Sequence, residues 1–349
     1  MKKWKSILAI MVAVFTMFAM TACGGSDSAT TEDEGEAQQS AGAVFATQDL
    51  SDCCTVSKAE GFYEEYMPDI DIETFNAGRD INNALKAESA DFGGAFGIVP
   101  VAVGLTSGID YKVIYIATRI QGTEGLVVKE DSGIESVADL KGKQIGYTSA
   151  SSGHYGLLCA LQDEGLTADD VELIDMDPDA INSAWQRGDI DVAYTWNPTL
   201  INLKNSGGKV ILTVEDLNKN GHATYNFYVV RSDYAEANPD QVVAFIKAVA
   251  KGAQFYRDDE DAAKEAAAER LELSVDEINE QMTDIYPTID EQMDDECFGN
   301  DNAAQNIYDV AQFLKDAGQI DDAKDIEFFK NAIDTSYIEQ AIKELEEEK

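Results

Sequence analysis

The sequence predicts an α/β protein built from two similar lobes that share a cleft, and two stretches carry that expectation. The first, Asn182 to Pro198, changes periodicity twice. Ala184, Trp185 and Arg187 close a helical run, and Gly188 supplies the positive-φ residue that commonly follows a helix end. Ile190, Val192 and Tyr194 then alternate with Asp191 and Ala193 as a strand does. The second stretch, Asn83 to Pro100, repeats this unit with Ala84 on Ala184 and Asp91 on Asp191, the prolines slipping by two positions. Open α/β sheets bind ligands beyond the carboxyl ends of their strands. The strand ends at Gly97-Ile98-Val99-Pro100 and Trp196-Asn197-Pro198 are therefore expected to face one shared cleft.

The amino terminus adds an address. Lys2, Lys3 and Lys5 precede an uncharged apolar run from Ile7 to Met20, which is short for a membrane span and reads as a signal peptide over 1–22. Small residues stand just before Cys23, in Met20-Thr21-Ala22-Cys23, which resembles a bacterial lipobox, so Cys23 is expected to be acylated. Residues 23–42 are rich in Ser, Thr, Gly and acidic side chains with no apolar periodicity, and read as a flexible tether. A lipid plus a tether implies an extracytoplasmic domain anchored to the cell membrane.

With 66 acidic against 26 basic residues the formal net charge is −40. That field argues against nucleic acid or anionic lipid as partners. An anionic ligand would need local donors, while a cationic or zwitterionic one is favoured. Five cysteines and two histidines show no zinc spacing, no nucleophile elbow and no phosphate loop, so no metal, cofactor or catalytic residue is expected. The acidic run Asp294-Asp295-Glu296 and Asn300-Asp301-Asn302 lacks calcium-loop spacing.

In order along the chain, Val44 to Gln48 is an apolar strand, followed by the polar loop Gln48 to Asp52 and a helix from Glu60 to Tyr66. Ile70 to Phe75 is a strand, and Gly78-Arg79-Asp80 opens the helix of the first repeat. Val113 to Thr118 is a buried strand, and Glu124 to Lys129 crosses into the second lobe. There, the strand Gln144 to Tyr147 leads to Thr148-Ser149-Ala150-Ser151-Ser152-Gly153 and an amphipathic helix from His154 to Leu161. Hydroxyls clustered before a helix offer donors and free N–H groups to an oxyanion, beyond what a plain N-cap needs. Thr224 to Arg231 is a strand returning to the first lobe, and helices over Gln241–Tyr256, Ala262–Arg270, Ser274–Ile285, Ala303–Ala317 and Ile326–Lys343 complete it. The lobes are accordingly expected over 43–122, 123–230 and, completing the first, 231–349.

The run Ala184-Trp185-Gln186-Arg187-Gly188-Asp189-Ile190-Asp191, with Ala193-Tyr194, Trp196, Pro198, His154-Tyr155, Thr123 to Lys129 and Tyr228 to Arg231, resembles the substrate-binding proteins of taurine-type ABC transporters. Their wider group binds alkanesulfonates, nitrate and thiamine precursors. The resemblance covers Ala43 to about Ala317 and implies a periplasmic-binding-protein fold, two lobes joined by two crossing strands, serving as a monomer that delivers a small sulfonate or zwitterion to a permease and its ATPase. It carries over Gln48, Glu124, Ser151, His154, Tyr155 and Trp196 as site residues. Ser151 and Ser152 with nearby N–H groups would hold the sulfonate, Trp196 and Tyr155 would pack its methylenes, and Gln48, Glu124 and Asn226 would face its other end. Ile98-Val99 stand where the pattern has hydroxyls, so that loop, with Gly97 and Ile98, could offer only backbone N–H groups. Gly153 replaces a threonine, and Asn226 an aspartate expected for the ligand ammonium, a loss that Glu124 or Asp49 could make good. The alternatives are an alkanesulfonate without an amine, nitrate, a thiamine pyrimidine precursor, or a pyrimidine-synthesis enzyme on the same scaffold.

Overall fold

The computed structural model describes residues 42–348. The expected signal peptide, Cys23 and the tether as far as residue 41 lie outside the described residues. From the amino end, β1 (Val44–Thr47) runs through α1 (Cys53–Ala59) and α2 (Phe62–Tyr66) to β2 (Asp71–Thr74). Then come α3 (Gly78–Lys86), β3 (Phe92–Gly97), α4 (Ile98–Thr106) and β4 (Tyr111–Arg119). The chain crosses over to β5 (Glu124–Lys129), β6 (Gln144–Tyr147), α5 (Ser152–Asp163), β7 (Glu172–Asp175), α6 (Pro178–Arg187), β8 (Val192–Trp196), α7 (Thr199–Asn205), β9 (Gly208–Thr213) and α8 (Val214–Lys219). It returns through β10 (Tyr225–Arg231) and ends in α9 (Ser232–Ala237), α10 (Pro239–Asp258), α11 (Glu260–Leu271), α12 (Val275–Gln281), α13 (Asn302–Asp316), α14 (Ile326–Ala332) and α15 (Ser336–Glu347).

Two five-stranded sheets result, ordered β2-β1-β3-β10-β4 and β7-β6-β8-β5-β9. They match place for place. In each, the first three strands are parallel, and the strand fed by a crossing, β10 or β5, is inserted antiparallel in fourth place. The two copies of the repeated unit, α3-β3-α4 and α6-β8-α7, hold equivalent positions, with Gly188 at φ 77° ending α6. The crossing segments pair, Ile120 N–H donating to Thr224 at 3.1 Å.

Alternation and aromatic content fix the core. Phe45 and Phe92 point from the first sheet onto Phe245 of α10, whose ring stacks on Phe92 at 4.2 Å. In the second lobe Trp185 is buried against Ile181, Ile190 and Leu203, its indole N–H donating to Ser206. It is a core residue, as its place at the end of a helical run suggests.

Several boundaries differ from expectation, each for a physical reason. A lobe limit at residue 230 assigns β10 to the second lobe, but its ladder is to β3 and β4 of the first sheet. The helix foreseen from Glu60 is preceded by α1, which Asp52 caps by accepting from Thr55 N–H, and Gly61 at φ 73° separates the two. The helix from Ser274 stops at Gln281 because Ile285 leaves to pair with Arg119 beside the crossing. The single helix over Ile326–Lys343 is two, broken where Asp334 N–H donates to Val113 at the edge of β4. The strands β7 and β9 were not among the elements expected, although Val210 to Thr213 is a β-branched, apolar run.

Candidate functional site

The cleft opens between the sheets, at the carboxyl ends of β1, β3 and β8. The first lobe contributes Gln48, Leu50, Ser51 and Asp52 from the loop after β1, with Gly78, Gly97 and Pro100. The second contributes Ser151, Ser152, Trp196 and Asn197. Thr118, Ile120, Thr123, Glu124 and Asn226 come from the crossings, and Gln281 and Asp284 from the segment after α12. The cavity between these walls is small, ≈ 50 Å³.

The lobe symmetry organises the site. Asn226, near the start of β10, pairs with Gly97 at the end of β3, and Glu124, starting β5, pairs with Trp196 at the end of β8. One polar residue from each crossing strand thus stands beside the end of each repeated strand. Ala95, at φ 51°, kinks β3 where the register with β10 shifts, and Gln48 Nε2 donates to its carbonyl at 2.7 Å. Such a bulge re-aims the backbone beyond it, here Gly97 and the start of α4.

Two helices present their N-termini. The first N–H groups of α4, after Gly97, and of α5, after Ser151, have no intrahelical acceptors and carry the positive ends of their dipoles. The hydroxyls before α5 are already committed: Ser151 Oγ donates to Thr148 at 2.6 Å and caps His154 N–H, and Ser152 Oγ donates to Glu124 Oε2 at 2.6 Å. The donors left for an oxyanion there are the backbone N–H groups of Ser152 and Gly153.

Against these stand three carboxyls. Burial pushes Glu124 up to about 8, opposed by the Ser152 hydrogen bond and assisted by Asp284. Burial also pushes Asp52 and Asp284 up to about 6. Asp284 is a hinge fastener, accepting from Gln121 N–H at 2.7 Å and from Thr123 Oγ1 at 2.5 Å. No lysine, arginine or histidine lines the cleft among the described residues. Gln48 Oε1, Asp52 Oδ2, Glu124 Oε1 and Asn197 Oδ1 are buried without a hydrogen-bond partner in the protein.

Of the residues expected here, Gln48, Gly97, Glu124, Ser151, Ser152, Trp196 and Asn226 line the cleft together. Four do not. Asp49 turns outward and pairs with Lys58 at 3.0 Å. The Ile98 side chain packs into the core while only its backbone belongs to the α4 start. His154 is buried against Tyr147, ring centroids 4.7 Å apart, and burial lowers its pKa to about 4. Tyr155, on the next helical position, packs edge-on to Phe313 of α13. Once α5 starts at Ser152, the 100° step per residue turns both rings away from the cleft. Asp52, Asn197, Gln281 and Asp284 were not singled out: Asp52 was one of several polar residues in the loop after β1, and Gln281 and Asp284 arrive from far along the chain.

The mouth of the cleft is bridged. Arg79 of α3 reaches the second lobe, pairing with Asp177, approaching Asp175 at 3.6 Å and donating to Ser149 Oγ at 3.2 Å. Partly exposed pairs contribute modestly, so Arg79→Ala is expected to speed ligand release about three- to tenfold with little change in melting temperature. Stopped-flow fluorescence of Trp196 checks this, and an unchanged release rate refutes the bridge.

Comparison with known proteins agrees with this architecture. Residues 53–263 match the family model described as NMT1/THI5 like. The taurine-binding periplasmic protein of Escherichia coli strain K12 is 33% identical over 292 residues, covering 81% of this chain and 88% of its own. A putative aliphatic sulfonates-binding protein of Bacillus subtilis strain 168 is 28% identical over 342 residues, covering 96% and 97%. In fold, the chain matches the alkanesulfonate-binding protein SsuA from Xanthomonas axonopodis pv. citri, solved bound to MOPS, with a TM-score of 0.71 at 20% identity, covering 85% and 99%. The paired sheets and the two crossings are those of a periplasmic-binding-protein fold, and the chain belongs to the NMT1/THI5-like family.

Proposed function

We propose that this chain is the extracytoplasmic solute-binding component of an ABC importer, that it captures taurine or a related small sulfonate between its lobes, and that it hands the ligand to a membrane permease powered by an ATPase. The observation that carries this reading is a small interlobe cleft with neutral donors at two helix N-termini and unpartnered carboxylate oxygens in the same space. That pairing suits a short zwitterion: the sulfonate at the backbone N–H groups of α4 and α5, the methylenes on Trp196, and the ammonium towards Glu124. Hinge rotation at Ile120–Thr123 and residues 220–224 would close the lobes and turn occupancy into a shape the permease reads. Cys23 is proposed to carry the lipid anchor. Turnover is not part of the proposal: the four described cysteines are buried, and burial pushes the Cys159 thiol up to about 12 and Cys297 up to about 11, opposite to an activated nucleophile.

Thermal denaturation with millimolar taurine, ethanesulfonate, isethionate and nitrate tests the reading. A ligand at a thousand times its Kd stabilises by about 4 kcal/mol, a rise of several degrees in melting temperature. Taurine is expected to give that rise and nitrate none. No shift with any sulfonate refutes it. A second reading, an alkanesulfonate without an amine, is favoured by Asn226, and a larger shift with ethanesulfonate than with taurine would select it.

A further inference from the structure

We propose that Asp52, in the loop after β1, is a specificity-determining residue that reads the cationic end of the ligand from the first lobe, facing the same space as Glu124 of the second. This deepens the sulfonate-binding reading and rests on it. The geometry points to a donor-bearing cation because the polar atoms left unpartnered in the cleft are mostly acceptors. Asp52 is 4% exposed; its Oδ1 is taken by Thr55 N–H, and its Oδ2 has no partner. Gln48 Oε1 and Asn197 Oδ1, in residues 7% exposed, are in the same condition, and so is Glu124 Oε1 once an arriving cation displaces the proton of that carboxyl. Gln48 Nε2 is fixed on the Ala95 carbonyl, so its oxygen is the atom left over. A buried acceptor without a donor is costly, and a buried carboxylate without a cation more so. The protein supplies no cation here: Lys58, whose charge reaches Asp52, is held by Asp49 at 3.0 Å, and Asp284 is spent on the hinge backbone. A primary ammonium, with three donors and one charge, matches what remains. Asp52 thereby supplies the second carboxylate that Asn226 lacks.

The alternative is that Asp52 only caps α1. Asparagine and serine are equally good N-caps, so Asp52→Asn and Asp52→Ser remove the charge and keep the cap. Calorimetry of the full chain at pH 7.5 compares taurine with isethionate, which carries a hydroxyl in place of the ammonium. The wild type is expected to prefer taurine at least 100-fold, and both variants to lose taurine affinity at least tenfold while isethionate stays within twofold. Equal losses for both ligands, or none for either, would mean a cap alone and overturn the inference. A wild type that binds isethionate as tightly as taurine also overturns it while leaving the sulfonate reading in place, whereas a wild type that binds neither overturns both.

Discussion

Glu124→Gln is expected to weaken taurine binding more than 100-fold while ethanesulfonate binding changes by less than about threefold. Glutamine keeps the shape, and its amide oxygen can still accept from Ser152 Oγ, which sits 2.6 Å from Glu124 Oε2. What it removes is the carboxylate that faces the ligand ammonium, ionised above about pH 8, where losing one partner of a buried charge pair costs about 3 kcal/mol or more, which is over 100-fold in Kd. Calorimetry of both ligands checks the split.

The same substitution has a signature without ligand. Glu124 titrates near 4.5 when exposed and is pushed up to about 8 by burial in the fold. The folded state therefore holds a proton that the unfolded chain has released, so stability is lost as pH rises from about 4.5 to about 8 and levels off above. Asp52 and Asp284, both raised to about 6 by burial, add the same sign between about 4 and 6. The ligand-free protein is expected to melt highest near pH 4 and to lose stability from there to about pH 8. Glu124→Gln is expected to flatten the upper part of the decline, by at most about 5 kcal/mol. Parallel melting curves for variant and wild type across pH 5 to 8 would rule out Glu124 as the source of the decline.

Gly97→Val is expected to abolish binding, by 100-fold or more, without unfolding the protein. Gly97 has φ −72°, so its conformation does not demand glycine. The approach of the lobes does: a Cβ there would stand 3.0 Å from Ser152 Oγ and 3.1 Å from Ser152 Cβ, across the cleft on α5. Valine methyls would wedge the lobes apart at the point where the two helix N-termini converge. Alanine, which asks for a shift of a few tenths of an ångström, is expected to cost tenfold or less. A Gly97→Val protein that binds taurine normally would mean that the lobes do not close on this contact.

Much of this site was legible because it is local and repeated. The strand ends at Gly97 and Trp196 follow from alternation stopping at a loop, whereas Glu124 and Asn226, where the crossing strands begin, were pointed to by the family resemblance. The helix after Ser151 was legible too, but its phase was not. Starting it at Ser152 puts the hydroxyl of Ser152 on Glu124 and swings His154 and Tyr155 into packing with Tyr147 and Phe313. Asp49 and Asp52 lie in one polar loop, and sequence could not tell which faces inward; Lys58, on α1, draws Asp49 out. Asp284 reaches the hinge from 161 residues beyond Thr123, a contact set by tertiary packing that no local pattern records.

A crystal structure of the chain grown with taurine puts ligand orientation to the test. One taurine is expected between closed lobes, its sulfonate oxygens within hydrogen-bond distance of the backbone N–H groups of α4 and α5 and its nitrogen about 3 Å from carboxylate oxygens of Glu124 and Asp52. A reversed ligand, with its ammonium away from both carboxylates, or an unoccupied cleft at saturating taurine, would contradict the zwitterion site proposed for this cleft.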